Sequence, residues 1–310
     1  MKIYQGLDHF NRLEKAVVTS GFFDGVHKGH QKVLSRVAQS AKDAGGESVV
    51  LTFWPHPRTI LNPQGEEIKV ITTLKEKINL IATCGIDHLI IIPFTREFSI
   101  LSSDEFVRKI LLDKIGTKKL IIGYDHRFGK NREGSFEYLR ENCSEIGFDV
   151  EEIPREDVKS MGVSSTLIRN AILEGDVTTA TTFLGRNYSL EGLVVEGKKL
   201  GRTIGFPTAN IHPLDATKII PKDGIYAVRA EVKGIIYNGM LSIGYNPTVD
   251  GTTKTIEVHI FNFNEVIYGK TIRIFFIKYL REEEKFDSLE LMIDQLKKDQ
   301  ENSLSVLSDS

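Results

Sequence analysis

The chain has 310 residues, 41% hydrophobic and 26% charged, a soluble globular composition with room for two ordinary domains. A formal net charge of −2 excludes a general nucleic-acid binder. The only two cysteines, Cys84 and Cys143, exclude a disulfide framework and a four-cysteine zinc site and fit a reducing compartment, where they read as small buried apolar residues. Residues 1–8 lack an apolar signal region, and no apolar run approaches a membrane span. The expectation is a cytoplasmic protein with neither membrane nor nucleic acid among its partners.

In chain order, the first pattern is a β-prone run, Ala16-Val17-Val18-Thr19. It is followed by Gly21-Phe22-Phe23-Asp24-Gly25-Val26-His27-Lys28-Gly29-His30, then by Val33, Leu34, Val37, Ala38 and Ala41 at helical spacing. The segment reads as strand, Gly-rich turn, helix. His27 and His30 fall on one face at the mouth of that helix. A helix N-terminus offers unpaired N–H groups and a positive dipole end, which suit phosphate. Two imidazoles add donors for a phosphoryl group whose charge rearranges in reaction. The loop is neither a Walker A sequence nor the dinucleotide fingerprint, and no further Cys or His stands nearby at zinc-ligand spacing. The simpler alternative is a plain turn with surface histidines.

Next come a strand over 48–53 that ends at Trp54-Pro55-His56-Pro57, a helix over 74–84, a strand over 88–93, a helix over 104–112 and a strand over 119–123. Apolar strands separated by helices imply a parallel sheet covered on both faces, with ligands at the strands' carboxyl ends. Three segments fall there: 21–30, 52–57 and 123–129. Phe53 and Trp54 with the stiff Pro55 and Pro57 form either a rigid turn or a wall for a flat aromatic ligand. Gly123-Tyr124-Asp125-His126-Arg127-Phe128-Gly129 mixes aromatics with polar handles. Gly162-Val163-Ser164-Ser165-Thr166-Leu167-Ile168-Arg169 is a second helix entrance. Its three hydroxyls exceed what one cap needs, and with Arg169 they suit a polyphosphate; simple capping is the alternative.

After about residue 185, short β-prone runs at 190–196, 224–232, 235–243, 255–263 and 271–279 suggest an antiparallel barrel or sandwich. In Gly201-Arg202-Thr203-Ile204-Gly205-Phe206-Pro207-Thr208-Ala209-Asn210 the glycines permit close backbone approach. Thr208 and Asn210 supply oxygens at alternate positions, which suit Mg²⁺ shared with phosphates, although the segment alone reads as a loop. Glu257 and His259 share one face of a strictly alternating strand. Such a carboxylate is ordinarily solvated; it matters beside a substrate hydroxyl that needs a base. A helix from Ser288 to about Gln300 turns Leu289, Leu291, Met292 and Leu296 inward, and the polar tail 301–310 is expected to fray.

Together these residues resemble the bacterial bifunctional riboflavin kinase/FMN adenylyltransferase family over nearly the whole chain. Residues 21–30 resemble its HxGH nucleotidyl-transfer signature, 164–169 its SSTxIR signature, 201–210 its GRxxGFPTAN kinase signature, and 242–248 its NIGxRPT segment. The resemblance implies an α/β plus all-β fold. Residues 1–184 would form a Rossmann-like FMN adenylyltransferase domain with a parallel sheet. Residues 185–310 would form an antiparallel β-barrel riboflavin kinase domain with a terminal helix. It implies riboflavin, FMN and ATP as substrates, Mg²⁺ as cofactor, FMN and FAD as products, and a monomer or weak homo-oligomer.

By the same resemblance His27 and His30 stabilise adenylyl transfer, with Gly21, Phe22, Asp24 and Gly25 lining the nucleotide site. Ser164, Ser165, Thr166 and Arg169 hold the β- and γ-phosphates. Phe53, Pro55, Pro57, Asp125 and Phe128 line the FMN site. In the kinase half Gly201 and Gly205 approach the nucleotide, Thr208 and Asn210 hold Mg²⁺ and phosphate, and Glu257 is the base. Departures are Val195-Glu196-Gly197 where relatives have His-Gly, Ser242 for Asn, Asn246 for Arg, and His126 for Phe. The alternatives are an adenylyltransferase whose C-terminal half only binds flavin, a nucleotide-responsive binder without catalysis, and a nucleotidyltransferase with another acceptor.

Overall fold

Strands of nearly unbroken Val, Ile and Leu set the architecture of the first half, and strict alternation sets that of the second. The computed structural model describes residues 1–61, 69–124, 126–154, 162–197, 200–248 and 251–308. The chain divides into two compact units, Met1–Ser165 and Thr166–Ser310.

The first unit holds β1 Lys2–Gln5, β2 Ala16–Ser20, α1 Lys28–Asp43, β3 Glu47–Trp54, α2 Pro57–Leu61, α3 Leu74–Ala82, β4 His88–Pro93 and α4 Arg96–Ser99. Then come α5 Ser103–Glu105, running into a π-helix at Phe106–Ile115, β5 Thr117–Gly123, α6 Phe136–Ile146 and β6 Asp149–Ile153. The six strands lie in the order β1-β4-β3-β2-β5-β6, and every neighbouring pair is parallel. The expected parallel sheet is therefore present.

Alternate residues of β2 feed two cores, one on each face. Ala16 and Val18 join one with Phe53, Phe106 and Phe128. Val17 joins the other with Val33, Leu34 and Val37 of α1. The chain leaves β2 for β3 on one side and later returns to β5 on the other. That order reversal opens a crevice above the carboxyl ends of β2 and β5.

Two edge strands escape the sequence reading, because β1 and β6 are short, half-solvated and polar. The helix expected over 104–112 is in its main part a π-helix, whose wider turn buries Phe106, Val107, Ile110, Leu111 and Ile115 together. Cys84 is half-buried, its thiol donating to the Leu80 carbonyl at 3.5 Å; the side chain of Cys143 lies outside the described residues.

Helix α7, Ser165–Leu173, begins on the last residue of the first unit, and the second unit holds the rest of it and α8, Val177–Leu184. Then follow β7 Tyr188–Val195, α9 Leu200–Thr203, β8 Ala209–Pro213, β9 Gly224–Val232, β10 Ile235–Thr248, β11 Gly251–Ile260, β12 Thr271–Arg281 and α10 Leu289–Ser308. The strands close into a barrel in the order β10-β11-β8-β7-β12-β9, each pairing antiparallel. Closure removes sheet edges. Helix α8 packs on β7 and β12, so the compact unit starts ahead of the change in sequence pattern near 185.

The terminal helix corrects the sequence reading. It runs on to Ser308 instead of fraying after residue 300, and Leu289 and Leu291 are exposed. The buried stripe is Asp299, Ser303 and Leu307, with Leu296 and Val306 packed beside it. Leu307 enters a cluster with Phe206, Ala227, Met240 and Phe261, which anchors the last turns. Asp299, 1% exposed, takes a two-point ion pair from Arg281 at 2.9 and 2.6 Å. Asp299→Ala should lower unfolding stability by about 2–3 kcal/mol in denaturant titration, less than a fully buried pair loses because Arg281 keeps some water.

Candidate active sites

At the end of β2 the chain turns over the edge of the sheet. Phe22 packs into one core and Phe23 into the other. Phe23 and Val26 have φ of 50° and 39°, and Gly25 has 83°. A β-branched valine in the left-handed region is strained, and such strain is commonly stored at functional loops. Gly21 leaves room for the Phe23 ring, which a Cβ would meet at 3.2 Å.

The turn ends at His27, the N-cap of α1. Its Nδ1 accepts from the His30 amide at 3.3 Å, which assigns the proton of the neutral ring to Nε2. The two imidazoles stack with centroids 3.6 Å apart, and Phe23 meets the His30 ring edge-on at 5.2 Å. Burial, then the charges of His27 and Lys77, hold His30 well below the usual histidine pKa. His30 is thus neutral at pH 7, and its Nδ1 has no hydrogen-bond partner among the described residues.

Asp24 acts as a clasp. Its carboxylate accepts from Ile71 N at 3.0 Å, Thr72 N at 3.1 Å and Thr72 Oγ1 at 3.4 Å, and Gly25 N donates to Thr72 Oγ1 at 3.0 Å. The turn is thereby tied to the start of α3, whose Thr73 and Glu76 form a capping box. Ser165 Oγ donates to the Asp24 carbonyl at 3.0 Å. Ser165, the last residue of the first unit, is thus tied to the histidine turn. Ser164 is half-buried, and Thr166 is exposed and Arg169 half-buried on the same helix. Asp24→Ala leaves two buried amides unpaired, so it should cost about 3 kcal/mol in denaturant titration.

The aromatic residues gather at the neighbouring strand ends. Phe53 packs against Phe22 at 5.2 Å and Phe98 at 5.3 Å, and Phe22 also faces His56 at 5.6 Å. Phe128 contacts Phe106 at 5.5 Å and its ring lies over Gly134. Phe53 and Phe128 are therefore buried wall residues, while Pro55 and Pro57 are half-exposed. Asp125 lies outside the described residues.

His126 stacks on Phe128 at 5.8 Å and pairs its Nε2 with Ser20 Oγ at 3.1 Å, linking the ends of β2 and β5. Burial, then Arg132 and Arg127, push its pKa down to about 4. An unfolded imidazole titrates near about 6.5, so below that pH the unfolded chain binds a proton that the folded one refuses. Stability should therefore fall as pH drops from 6.5 toward 4. The loss is about 3 kcal/mol at most, less for the water that still reaches the ring. His126→Phe should flatten that slope, read as thermal midpoint against pH.

In the barrel, register brings the expected residues together. Glu257 on β11 lies opposite Asn210 on β8 and Ser242 on β10. Thr208 Oγ1 donates to Glu257 Oε2 at 3.0 Å. Ile256 and Val258 point into the core, so Glu257 and His259 stand half-buried on the outer wall. His259 Nδ1 donates to the Pro207 carbonyl at 2.7 Å and fixes the loop that carries Thr208.

Gly201 is required sterically, since a Cβ would lie 2.2 Å from the Phe206 carbonyl oxygen, and Gly205 has φ of 86°. The backbone at Gly197 lies against the Asn210 amide. Beside Thr208 a cleft open to solvent is lined by Arg202, Pro207, Phe263, Val266 and Tyr268 among others. The sequence reading does not single out Phe263, Val266 and Tyr268 as site residues: it puts Phe263 at the end of the 255–263 run, whereas β11 stops at Ile260 and all three sit on the connection that follows. Ser242 donates to Glu283 at 3.0 Å; the side chain of Asn246 lies outside the described residues.

Two family models match this chain, the FAD synthetase family over residues 9–167 and riboflavin kinase over residues 184–307. The Bacillus subtilis bifunctional riboflavin kinase/FMN adenylyltransferase is 38% identical over 95% of this chain and 93% of its own. The Listeria monocytogenes protein of the same name is 40% identical over 93% and 91%, and that of Escherichia coli K12 34% over 97% and 96%. A crystal structure from Streptococcus pneumoniae, described as a macrolide-efflux protein, superposes with a TM-score of 0.88 at 34% identity, covering 97% of this chain and 98% of that one. Among the described residues no helix is long and apolar enough to cross a membrane. With both models matched in order and these relatives aligned nearly end to end, the chain belongs to the bifunctional riboflavin kinase/FMN adenylyltransferase family.

Proposed function

We propose that this protein makes FAD in two steps, phosphorylating riboflavin to FMN with ATP and then adenylylating FMN with a second ATP. The observation that carries the reading is the presence, in one chain, of a stacked histidine pair at a helix N-terminus and a Thr208–Glu257 pair beside Asn210 on a barrel wall. The first belongs to residues 1–184 and the second to residues 185–310.

In the adenylyl-transfer step an FMN phosphate oxygen attacks the α-phosphorus of ATP. The bond to the α–β bridging oxygen breaks, and pyrophosphate leaves. His27 and His30 donate to the phosphoryl oxygens as charge shifts, beside the N-terminal amides of α1. Gly21, Phe22 and Gly25 shape the turn, and Asp24 holds it rather than touching the nucleotide with its carboxylate. Ser164, Ser165, Thr166 and Arg169 are the candidates for the leaving pyrophosphate. The wall of Phe53, Pro55, Pro57 and Phe128 takes the flat flavin ring, and Asp125 is a candidate polar contact.

In the kinase step Glu257 takes the proton of the ribityl 5′-hydroxyl as that oxygen attacks the γ-phosphorus, and ADP leaves. Thr208 and Asn210 offer hard oxygens that fit Mg²⁺. Among the described residues no group of three His, Cys, Asp or Glu forms a cage, so phosphates would complete the coordination. Mg²⁺ supplies charge neutralisation on the transferred phosphates. The cleft beside Thr208 receives the nucleoside of ATP, with Gly201 and Gly205 letting the backbone approach. On this reading the protein works in the cytoplasm, as a monomer or weak homo-oligomer.

A time course with riboflavin, ATP and Mg²⁺, resolved by chromatography, tests the reading. FMN should rise first and FAD follow. FAD formed only from supplied FMN would reduce the second unit to a flavin binder.

A further inference from the structure

Lys77 sits on the second turn of α3 and is 3% exposed. Its Nζ lies 5.2 Å from the centroid of the Trp54 ring. Among the described residues it makes no hydrogen bond and no ion pair. The carboxylate that acts on it electrostatically is Asp24, and that group is committed to Ile71 and Thr72. A ring face is a weak substitute for lost hydration, and a buried ammonium without an acceptor is costly to keep. Unsatisfied buried polar groups call for an explanation, and a ligand is one.

The surroundings narrow the ligand's chemistry. The Asp24 clasp brings the start of α3 to the histidine turn, and the charge of Lys77 is felt by His30. His30 Nδ1 is itself buried and unpartnered among the described residues. Phe23 and Trp54, which flank these two groups, pack into the same core. One uncompensated cation and one uncompensated imidazole nitrogen thus stand beside the strand ends where the phosphates of the adenylyl-transfer reaction must meet. Burial lowers the ammonium to a pKa of about 8, which leaves it predominantly cationic at neutral pH.

We propose that Lys77 binds a phosphoryl oxygen of the reacting ATP–FMN pair and holds it against the His27–His30 turn. The inference rests on adenylyl transfer being the reaction of this unit. ATP and FMN both present such oxygens, and the test separates them.

Full-length K77M and K77Q are compared with wild type in FAD formation from FMN and ATP, each substrate varied in turn. Riboflavin phosphorylation and thermal midpoint are measured on the same samples. The expected result is a fall of about 50-fold or more in kcat/KM for FAD formation in whichever variant folds, with phosphorylation within twofold. A rise confined to the KM of ATP assigns the contact to the triphosphate, and one confined to the KM of FMN assigns it to the flavin phosphate. Adenylyl-transfer constants within threefold of wild type in a folded variant overturn the proposal, whatever the midpoint does, and leave Lys77 as a counter-charge to Asp24. A wild-type chain that makes no FAD overturns the underlying assignment instead.

Discussion

His27→Ala lowers FAD formation from FMN and ATP by about 10²-fold or more, while riboflavin phosphorylation is unchanged. Two effects are superposed in that substitution. The ring has the proposed role of donor toward the phosphoryl group, and it is also the N-cap that accepts from the His30 amide. Loss of a cap costs about 1 kcal/mol of stability, which is too little to account for the rate. His27→Asn separates the two, since asparagine caps well but cannot stack on His30 as an imidazole does. The asparagine variant should keep its thermal midpoint within a few degrees and still lose the activity. Steady-state kinetics with each substrate supplied separately reads both.

Glu257→Gln abolishes phosphorylation to about 10²–10⁴-fold below wild type, the range that loss of a positioned base covers. Glutamine keeps an oxygen to accept from Thr208, so the local hydrogen bond survives and the proton acceptor alone is removed. Adenylylation of supplied FMN should proceed at the wild-type rate. The reverse pattern, FMN still formed at more than a tenth of the normal rate, would mean that the ribityl proton leaves by another route.

The parallel sheet was legible because its central strands are buried on both faces and read as unbroken apolar runs. The barrel was legible because one face is core and the other is wet, as in β11, where Ile256, Val258 and Ile260 alternate with Glu257 and His259. The turn chemistry was also visible: the glycines and the two histidines mark where β2 gives way to α1.

What was hidden depends on tertiary partners. Nothing local shows that the carboxylate of Asp24 is consumed by the amides of Ile71 and Thr72, which lie 47 and 48 residues away. Nor does it show that Lys77 is buried, since lysine on an amphipathic helix is ordinarily solvated. The tail after residue 300 looked polar because its inward stripe is built from Asp299, Ser303 and Leu307, with Asp299 made tolerable by Arg281. The candidate residues Thr208, Asn210 and Glu257 of the barrel were named from separate segments, and only register shows Glu257 opposite Asn210.

The central claim is that one chain carries two separate active sites, joined by free FMN. It is tested most directly by mixing two inactive variants. His27→Asn alone, given riboflavin, ATP and Mg²⁺, should stop at FMN, and Glu257→Gln alone should make neither product. The mixture should make FAD from riboflavin, because each variant supplies the step that the other lacks. A mixture of folded variants that still makes no FAD, although the Glu257→Gln chain adenylylates supplied FMN, would contradict the account.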